Sequence, residues 1–190
     1  LMSLFALITI TIVTGALHED GLADTFDGLG GGTTRDHKLE IMRDSKIGSY
    51  GVMALLFSFG LRWAALTEIA GFGFQYIFLV LIATSAGSRA ALPTIMHLIP
   101  AARTDGLSAS SGKPSLDRAI TALIIGIVIF FLILDFRITI ISLGLSILVT
   151  GSFVYFVGTR IGGQTGDVLG ACQQITEVTM LLTILMVGIK

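Results

Sequence analysis

Apolar residues run through this chain in six long stretches, separated by polar segments of very unequal length. The stretches are Leu1–Leu17, Tyr50–Ala70, Phe72–Leu92, Ala119–Leu134, Ile138–Val157 and Ala171–Ile189. About 20 mostly apolar residues cross a bilayer as a helix, because a helix satisfies its backbone hydrogen bonds internally. Strands of a membrane barrel would alternate apolar and polar residues, and these stretches do not. The pattern therefore predicts an all-α membrane protein, a bundle of about six transmembrane helices.

The polar connections fall into two classes. Segments 18–49, 93–118 and 158–170 are long, whereas Gly71 and the turn Asp135–Arg137 are very short. Since successive spans alternate in direction, the three long connections should lie on one side of the membrane. Eight cations lie on that side: Arg35, Lys38, Arg43, Lys46, Arg103, Lys113, Arg118 and Arg160. The other side has Arg137 and Lys190 alone, so the excess of Lys and Arg predicts that the long connections face the cytoplasm.

The composition supports one membrane domain over residues 1–190. Hydrophobic residues make up 53% of the chain and charged residues 13%, against about 25% charged in soluble domains. The net charge of −1 gives no case for a nucleic-acid partner, and the single Cys172 allows no internal disulfide. Because the chain starts at Leu1 inside an apolar stretch, we expect further sequence upstream, including another helix.

Ionisable residues gather directly after the first apolar stretch: His18 and four carboxylates, Glu19, Asp20, Asp24 and Asp27, lie within ten residues. The three aspartates are spaced i, i+4, i+7, which places them within roughly a 60° arc of one helix face. A solvated acidic helix end is the alternative, because like charges at this spacing cost only a few tenths of a kcal/mol. Beside a membrane helix, however, unpaired carboxylates are expensive. The cluster therefore predicts a site for a hard divalent cation, Mg²⁺ with Mn²⁺ as the alternative.

The segment 35–51 mixes apolar residues with charges and predicts a short helix lying at the membrane interface. Glu40 and Asp44, again i, i+4, either complete the metal site or form ion pairs within a connector. Arg43 and Lys46 are candidate phosphate contacts, because cations pair with phosphate oxygens through charge-assisted hydrogen bonds.

Two arginines lie within apolar stretches, where ionisable residues usually mark functional sites. Arg62, in mid-stretch, is predicted either to pair with Glu68 or Glu177 or to bind an anion. Arg89, near a cytoplasmic end, either binds substrate or extends its side chain to the interface.

The cytoplasmic connections add Arg103, Lys113 and Asp167 as candidate substrate-binding residues. The alternative for the two cations is that they only set the topology. His18 is either a base or an interfacial hydrogen-bonding residue. Carboxylates for a divalent cation beside several cations on one face suit transfer at a phosphate.

Three motifs carry a family resemblance: GALHEDGLADTFDG at 15–28, LEIMRDSKIG at 39–48, and GGQTGDVLGA at 162–171 followed by Glu177. Over nearly its whole length the chain resembles the cobalamin-5′-phosphate synthases, also called adenosylcobinamide-GDP ribazoletransferases. The resemblance implies an integral cell-membrane enzyme that needs Mg²⁺ and has its active site on the cytoplasmic face. It implies that adenosylcobinamide-GDP is joined to α-ribazole or its 5′-phosphate with release of GMP, a late step of vitamin B12 assembly.

A wider likeness concerns the carboxylates. The stretch DTFDG followed by EIMRD is similar to the two-part motif of CDP-alcohol phosphotransferases. It implies metal-binding roles for five residues: Asp20, Asp24, Asp27, Glu40 and Asp44. Catalytic roles fall to Asp27 and to Asp44, the latter as metal ligand or general base.

The resemblance also implies an order of events and leaves two alternatives. A ribazole hydroxyl attacks the phosphate attached to cobinamide, and GMP leaves. The substrate-binding candidates are Arg43, Lys46, Arg62, Arg89, Arg103, Lys113 and Asp167. The alternatives are a CDP-alcohol phosphotransferase of phospholipid synthesis, which the GGQTGD motif disfavours, and an ion-coupled transporter, which the gathering of charge at one face disfavours. Lipid is a further partner, and the oligomeric state stays open.

Overall fold

The chain forms a bundle of ten helices in a computed structural model that describes residues 1–188. The helices are α1 Met2–Val13, α2 Leu17–Gly31, α3 Arg35–Ile41, α4 Ser49–Ala70, α5 Phe74–Ala90, α6 Leu92–Leu98, α7 Gly106–Ser111, α8 Leu116–Ile133, α9 Phe136–Ile161 and α10 Gly166–Val187. The described residues form no β-strand; one isolated bridge joins Ala101 to Gln164. The predicted all-α fold is confirmed.

Five of the predicted spans are present as helices long and apolar enough to cross a membrane: α4, α5 continued by α6, α8, α9 and α10. The short turn between α8 and α9 forms as expected, because the Asp135 carboxylate accepts the Ile138 N–H at 2.9 Å and caps α9. The last predicted span ran to Ile189. That residue and Lys190 lie outside the described part of the chain.

The first apolar stretch differs from its prediction as one span over Leu1–Leu17. Helix α1 ends at Val13, and α2 leaves it at an angle of 86°. The turn between them has positive φ at Gly15 (62°) and Ala16 (56°). With 12 residues and a rise of 1.5 Å each, α1 extends about 18 Å, less than the roughly 30 Å of a bilayer core. Helix α2 is not among the five spans. A sixth span would result only if the bent pair of α1 and α2 were counted together as one broken span.

The polar segment 18–49, predicted as a connection with one interfacial helix, is largely helical. Helix α2 occupies its first half, and the interfacial helix is the seven-residue α3. Buried Lys38 explains how α2 ends, because its ammonium donates to the carbonyl oxygens of Leu29 (3.3 Å) and Gly32. Thr34 caps α3 by accepting the His37 N–H at 3.2 Å.

Helix α10 lies at the centre of the bundle. In its most apolar window 72% of the residues are buried, against 17% in α8. One apolar cluster, which includes Leu66, Phe130 and Leu181, packs α4, α5 and α8 around α10. A second, which includes Met42 and Val168, packs the end of α3 and the end of α9 against the start of α10. The polar segments are therefore fixed to one end of the bundle.

Candidate functional site

Helices α2 and α10 cross at two glycines. A Cβ atom at Gly21 would lie 2.7 Å from the Asp167 carbonyl oxygen, and one at Gly170 would lie 3.3 Å from the Gly21 Cα. Real Cβ atoms do not approach backbone atoms as closely as the first distance. Glycine at position 21 therefore allows the acidic face of α2 to lie beside Asp167, in the first turn of α10.

The three aspartates of α2 differ in exposure. Asp20 is exposed, Asp24 is half-buried and Asp27 is buried. The Asp27 carboxylate accepts the N–H of Gly48 (2.7 Å) and of Gly51 (2.8 Å), at the N-terminus of α4. A helix N-terminus favours a carboxylate, because its N–H groups lack partners within the helix. Asp27 thus anchors α2 to α4.

Asp24 receives the combined field of the other carboxylates. Burial is the largest cause that raises its pKa to about 7, followed by the charges of Asp20, Asp167 and Asp27, while Arg103 lowers it. We call Asp20, Asp24, Asp27 and Asp167 the acidic cluster. Asp24 thus lies in the field of three further carboxylates and one guanidinium, so the site has a surplus of negative charge.

Arg103 connects the acidic cluster to the segment after α6. Its Nη2 donates to Asp167 Oδ2 at 3.1 Å, and its Nε lies 3.8 Å from Asp105 Oδ1. The same Asp105 oxygen accepts from Arg43 Nη2 at 2.7 Å. The guanidinium Nη1 of Arg103 is buried without a hydrogen-bond partner in the described structure. The charges of Arg43, Asp105, Arg103 and Asp167 thus form a continuous line across this end of the bundle.

A cavity of about 470 Å³ adjoins this line of charges. Arg103 and Lys113 line it together with Ser108, Gln164 and His97. The Ser108 hydroxyl donates to Gln164 Oε1 at 2.7 Å, which orders that wall. The cavity therefore offers two cationic side chains to an anionic ligand, and Arg103 also contacts the acidic cluster.

The donor chemistry of the acidic cluster fits a hard divalent cation, because its side-chain ligands are carboxylate oxygens with surplus negative charge. Among residues 1–188, however, no three His, Cys, Asp or Glu side chains lie in an arrangement that could hold a metal ion without moving. Asp20, Asp24 and Asp167 are the residues that would converge on the ion, while Asp27 holds the helix in place.

The structure does not bring Glu40 or Asp44 into the acidic cluster. Both are exposed, and Asp44 Oδ1 accepts the N–H of Lys46 at 3.1 Å. The Lys46 side chain is likewise exposed. The roles assigned to these residues stay predictions.

Arg89 is half-buried at the end of α5, where its Nη1 donates to the Ser85 carbonyl oxygen at 3.1 Å. It lies near His18 at the start of α2. The pKa of His18 is lowered, first by burial and then by the charge of Arg89. A lowered pKa keeps His18 neutral near pH 7, so this ring adds no cation to the site.

Arg62 lies inside the bundle and is 2% exposed. Its Nη2 donates to Glu19 Oε1 at 3.1 Å, and its Nη1 lies 3.9 Å from Glu177 Oε1. Of the two predicted ion-pair partners, Glu177 is therefore present, whereas Glu68 is exposed and makes no ion pair with Arg62. Two glutamines on α10, Gln173 and Gln174, hydrogen-bond to these carboxylates. We call the five residues the buried polar network: Glu19, Arg62, Gln173, Gln174 and Glu177.

The comparisons with known proteins agree on one family. A family model described as cobalamin-5-phosphate synthase matches residues 1–185. The chain belongs to the cobalamin-5-phosphate synthase family. The resemblance seen in the three sequence motifs is thereby confirmed, and with it a membrane transferase of cobalamin biosynthesis.

Relatives of the chain include three named adenosylcobinamide-GDP ribazoletransferase. One from Bradyrhizobium diazoefficiens is 50% identical over 182 residues, covering 96% of this chain and 69% of the relative. One from Mesorhizobium japonicum is 48% identical over 177 residues, which cover 93% of this chain and 67% of the relative. One from Azorhizobium caulinodans is 43% identical over 187 residues, which cover 96% of this chain and 71% of the relative. No solved structure matches the chain at a significant level.

Sequence reasoning assigned no role at the candidate site to three residues, Arg35, Asp105 and Glu19. Arg35 donates to the carbonyl oxygens of Ile161 (2.9 Å) and Ala102 (2.6 Å), which ties α3 to α9. Asp105 was overlooked because no spacing rule links it to Arg43. Glu19 could have been found, because it shares one face of α2 with Leu22, Ala23 and Phe26, the face that packs into the bundle.

Proposed function

We propose that the chain transfers the cobinamide-phosphate moiety of adenosylcobinamide-GDP to α-ribazole or α-ribazole 5′-phosphate, with release of GMP. One observation carries the proposal: the surplus negative charge of the acidic cluster is joined through Arg103 to a cavity with a second cation, Lys113. A divalent-cation site beside an anion-binding cavity is what transfer at a pyrophosphate requires.

We assign the groups as follows. Asp20, Asp24 and Asp167 hold Mg²⁺, or Mn²⁺ in its place, and Asp27 orients α2. The chemistry that a bound divalent cation supplies is neutralisation of charge on the phosphate oxygens. Arg103 and four other cations at this end contact phosphate oxygens: Arg43, Lys46, Arg89 and Lys113.

The bond changes follow from this placement. The ribazole hydroxyl oxygen forms a bond to the phosphorus attached to cobinamide, and the bond from that phosphorus to the bridging oxygen breaks. GMP leaves with the bridging oxygen. A carboxylate takes the hydroxyl proton, because a hydroxyl is a weak nucleophile until it is deprotonated. We assign this role to Asp44, to which the family resemblance gives it. Its carboxylate is exposed, outside the acidic cluster, and its neighbour Arg43 pairs with Asp105 in the line of charges.

The acidic cluster and the cavity lie at the end of the bundle that carries most of the cations. The excess of Lys and Arg there places this end at the cytoplasmic face in our proposal. Nucleotide-linked substrates would then reach the site from the cytoplasm without crossing the membrane.

The test is GMP release by the purified chain in detergent, with adenosylcobinamide-GDP and α-ribazole 5′-phosphate. Release with Mg²⁺ that stops with EDTA is the expected result. Release that continues in EDTA would contradict the metal role. A CDP-alcohol in place of the cobinamide substrate, and uptake into vesicles, test the two alternative functions in parallel, and both should give no signal.

A further inference from the structure

Glu19 is the point at which three other helices meet α2. Its Oε1 atom accepts from Arg62 Nη2 of α4 (3.1 Å), from Gln174 Nε2 of α10 (3.1 Å) and from Thr11 Oγ1 of α1 (3.4 Å). One carboxylate oxygen thus connects α2 to the helix before it, the helix after α3 and the central helix.

The donors to Glu19 are themselves held inside the bundle. Arg62 is 2% exposed and also lies beside the buried Glu177 carboxylate. The Gln174 Oε1 atom accepts from the Ser58 hydroxyl at 2.8 Å. Burying a guanidinium is expensive unless it is paired, and here both of its ion-pair partners are protein carboxylates. Arg62 is therefore placed to act on Glu19 and not on a ligand at the polar end of the bundle.

Three residues before Glu19 the backbone adopts an unfavourable conformation. Ala16 has a φ of 56°, in the left-handed region that residues with a Cβ atom rarely adopt. Such a residue persists only when its surroundings fix it. Here the turn at Ala16 sets the 86° angle between α1 and α2. That angle directs α2 across α10, so that Asp20 and Asp24 lie beside Asp167.

We propose that Arg62 is a positioning residue for the acidic cluster. By holding Glu19 it fixes the turn between α1 and α2, and with it the place of Asp20 and Asp24 against Asp167. The inference rests on the proposed function, in which the acidic cluster holds a divalent cation. It gives Arg62 a role without contact to the substrate or to the metal.

The sign of one measurement tests this role. Loss of a positive charge should by itself tighten binding of a cation nearby, whereas loss of positioning should weaken it. We expect Arg62→Gln to weaken Mn²⁺ binding to the purified full chain by about tenfold, as outer-shell changes do. Free Mn²⁺ is measured by electron paramagnetic resonance, without any substrate. Arg62→Lys, which keeps the charge, should stay close to the unaltered chain. Glu68→Gln on the exposed face of α4 is the matched control.

The outcomes of these measurements separate the positioning role from the proposed metal site. Unchanged or tighter Mn²⁺ binding by Arg62→Gln would overturn the positioning role while leaving the proposed metal site intact. If Arg62→Gln does not fold, Gln174→Met removes another donor to Glu19 at similar side-chain size. It should weaken Mn²⁺ binding in the same direction, and no weakening would overturn the role. Absence of Mn²⁺ binding by the unaltered chain would overturn the proposed metal site, and this inference with it.

Discussion

Two charged regions share α2 but differ in how far their charges are paired. In the acidic cluster, Asp24 is half-buried among other carboxylates, and the charge of Arg103 opposes theirs. In the buried polar network, Glu19 and Glu177 face Arg62 and glutamine side chains inside the bundle. Neighbouring residues, Glu19 and Asp20, belong to different regions because one step along a helix turns the side chain by about 100°. Surplus charge at an accessible face indicates a ligand, whereas paired charge in the interior indicates positioning.

The largest expected effect concerns the acidic cluster. Asp24→Asn keeps the shape of the side chain but replaces the charged carboxylate, the proposed metal ligand, by a neutral amide. Turnover should therefore fall below detection in the GMP-release assay. The protein should stay folded, because the substitution also removes repulsion from the neighbouring carboxylates. Near-normal turnover would remove the metal site from the account. Asp117→Asn, in the exposed first turn of α8, is the matched control.

A substitution in the buried polar network should lower the stability of the fold, whereas Asp24→Asn should lower turnover and leave the protein folded. Arg62→Leu leaves the buried Glu177 and the partly buried Glu19 without their cation, which costs roughly 3–5 kcal/mol. The thermal unfolding temperature in detergent should therefore drop strongly. Arg118→Leu, at an exposed position of α8, should change it little. If both variants unfold at the temperature of the unaltered chain, the buried pair does not stabilise the fold.

The close crossing of α2 and α10 beside the acidic cluster is open to a steric test. Gly21→Ala places a methyl group 2.7 Å from the Asp167 carbonyl oxygen, so α2 and α10 must separate at a cost of about 1–3 kcal/mol. We expect turnover to fall by about tenfold, since misplacement of reacting groups by even 1 Å is costly. Gly60→Ala, where nothing lies within 4 Å of the new atom, is the control. Equal turnover in the two variants would contradict a close crossing at the site.

The smallest effect is a pH dependence of the metal-free protein. The pKa of Asp24 is about 7 when folded, above its ordinary value of 3.8. Between these values the folded state binds more protons than the unfolded state, so stability should fall as pH rises through this window. Above about pH 7 the trend should level off, since Asp24 is then ionised in both states. Unfolding temperatures in EDTA should show this slope, and Asp24→Asn should flatten it. The same slope in both proteins would show that another group causes it.

The spans were predictable because hydropathy and length constrain them strongly. Helices α4, α8 and α9 coincide with apolar stretches to within a few residues, and the i, i+4, i+7 spacing placed the three aspartates of α2 on one face. The break after Val13 was not predictable in this way. Residues 14–17 are mostly small or apolar and carry no turn signal that local spacing reveals, while Glu19, just after the turn, contacts distant helices.

The candidate site was predictable only in part, because several of its contacts join residues far apart in the chain. Asp167 lies beside Asp24 through the glycine crossing of α2 and α10, which no local pattern encodes. Arg43 reaches Arg103 through Asp105, a residue with no motif of its own. By contrast, the pairing of Arg62 with Glu177 was one of the predicted alternatives, because an unpaired charge in the membrane is costly. Local spacing gave the carboxylates, and tertiary packing decided their partners.

Binding of a divalent cation by the acidic cluster is the central claim for this protein. The measurement is the number of Mn²⁺ ions bound tightly per chain, compared between the unaltered protein and Asp24→Asn in the same detergent. We predict binding by the unaltered chain and its loss in Asp24→Asn, while Asp117→Asn binds as the unaltered chain does. Equal Mn²⁺ binding by the unaltered chain and Asp24→Asn would contradict the central claim.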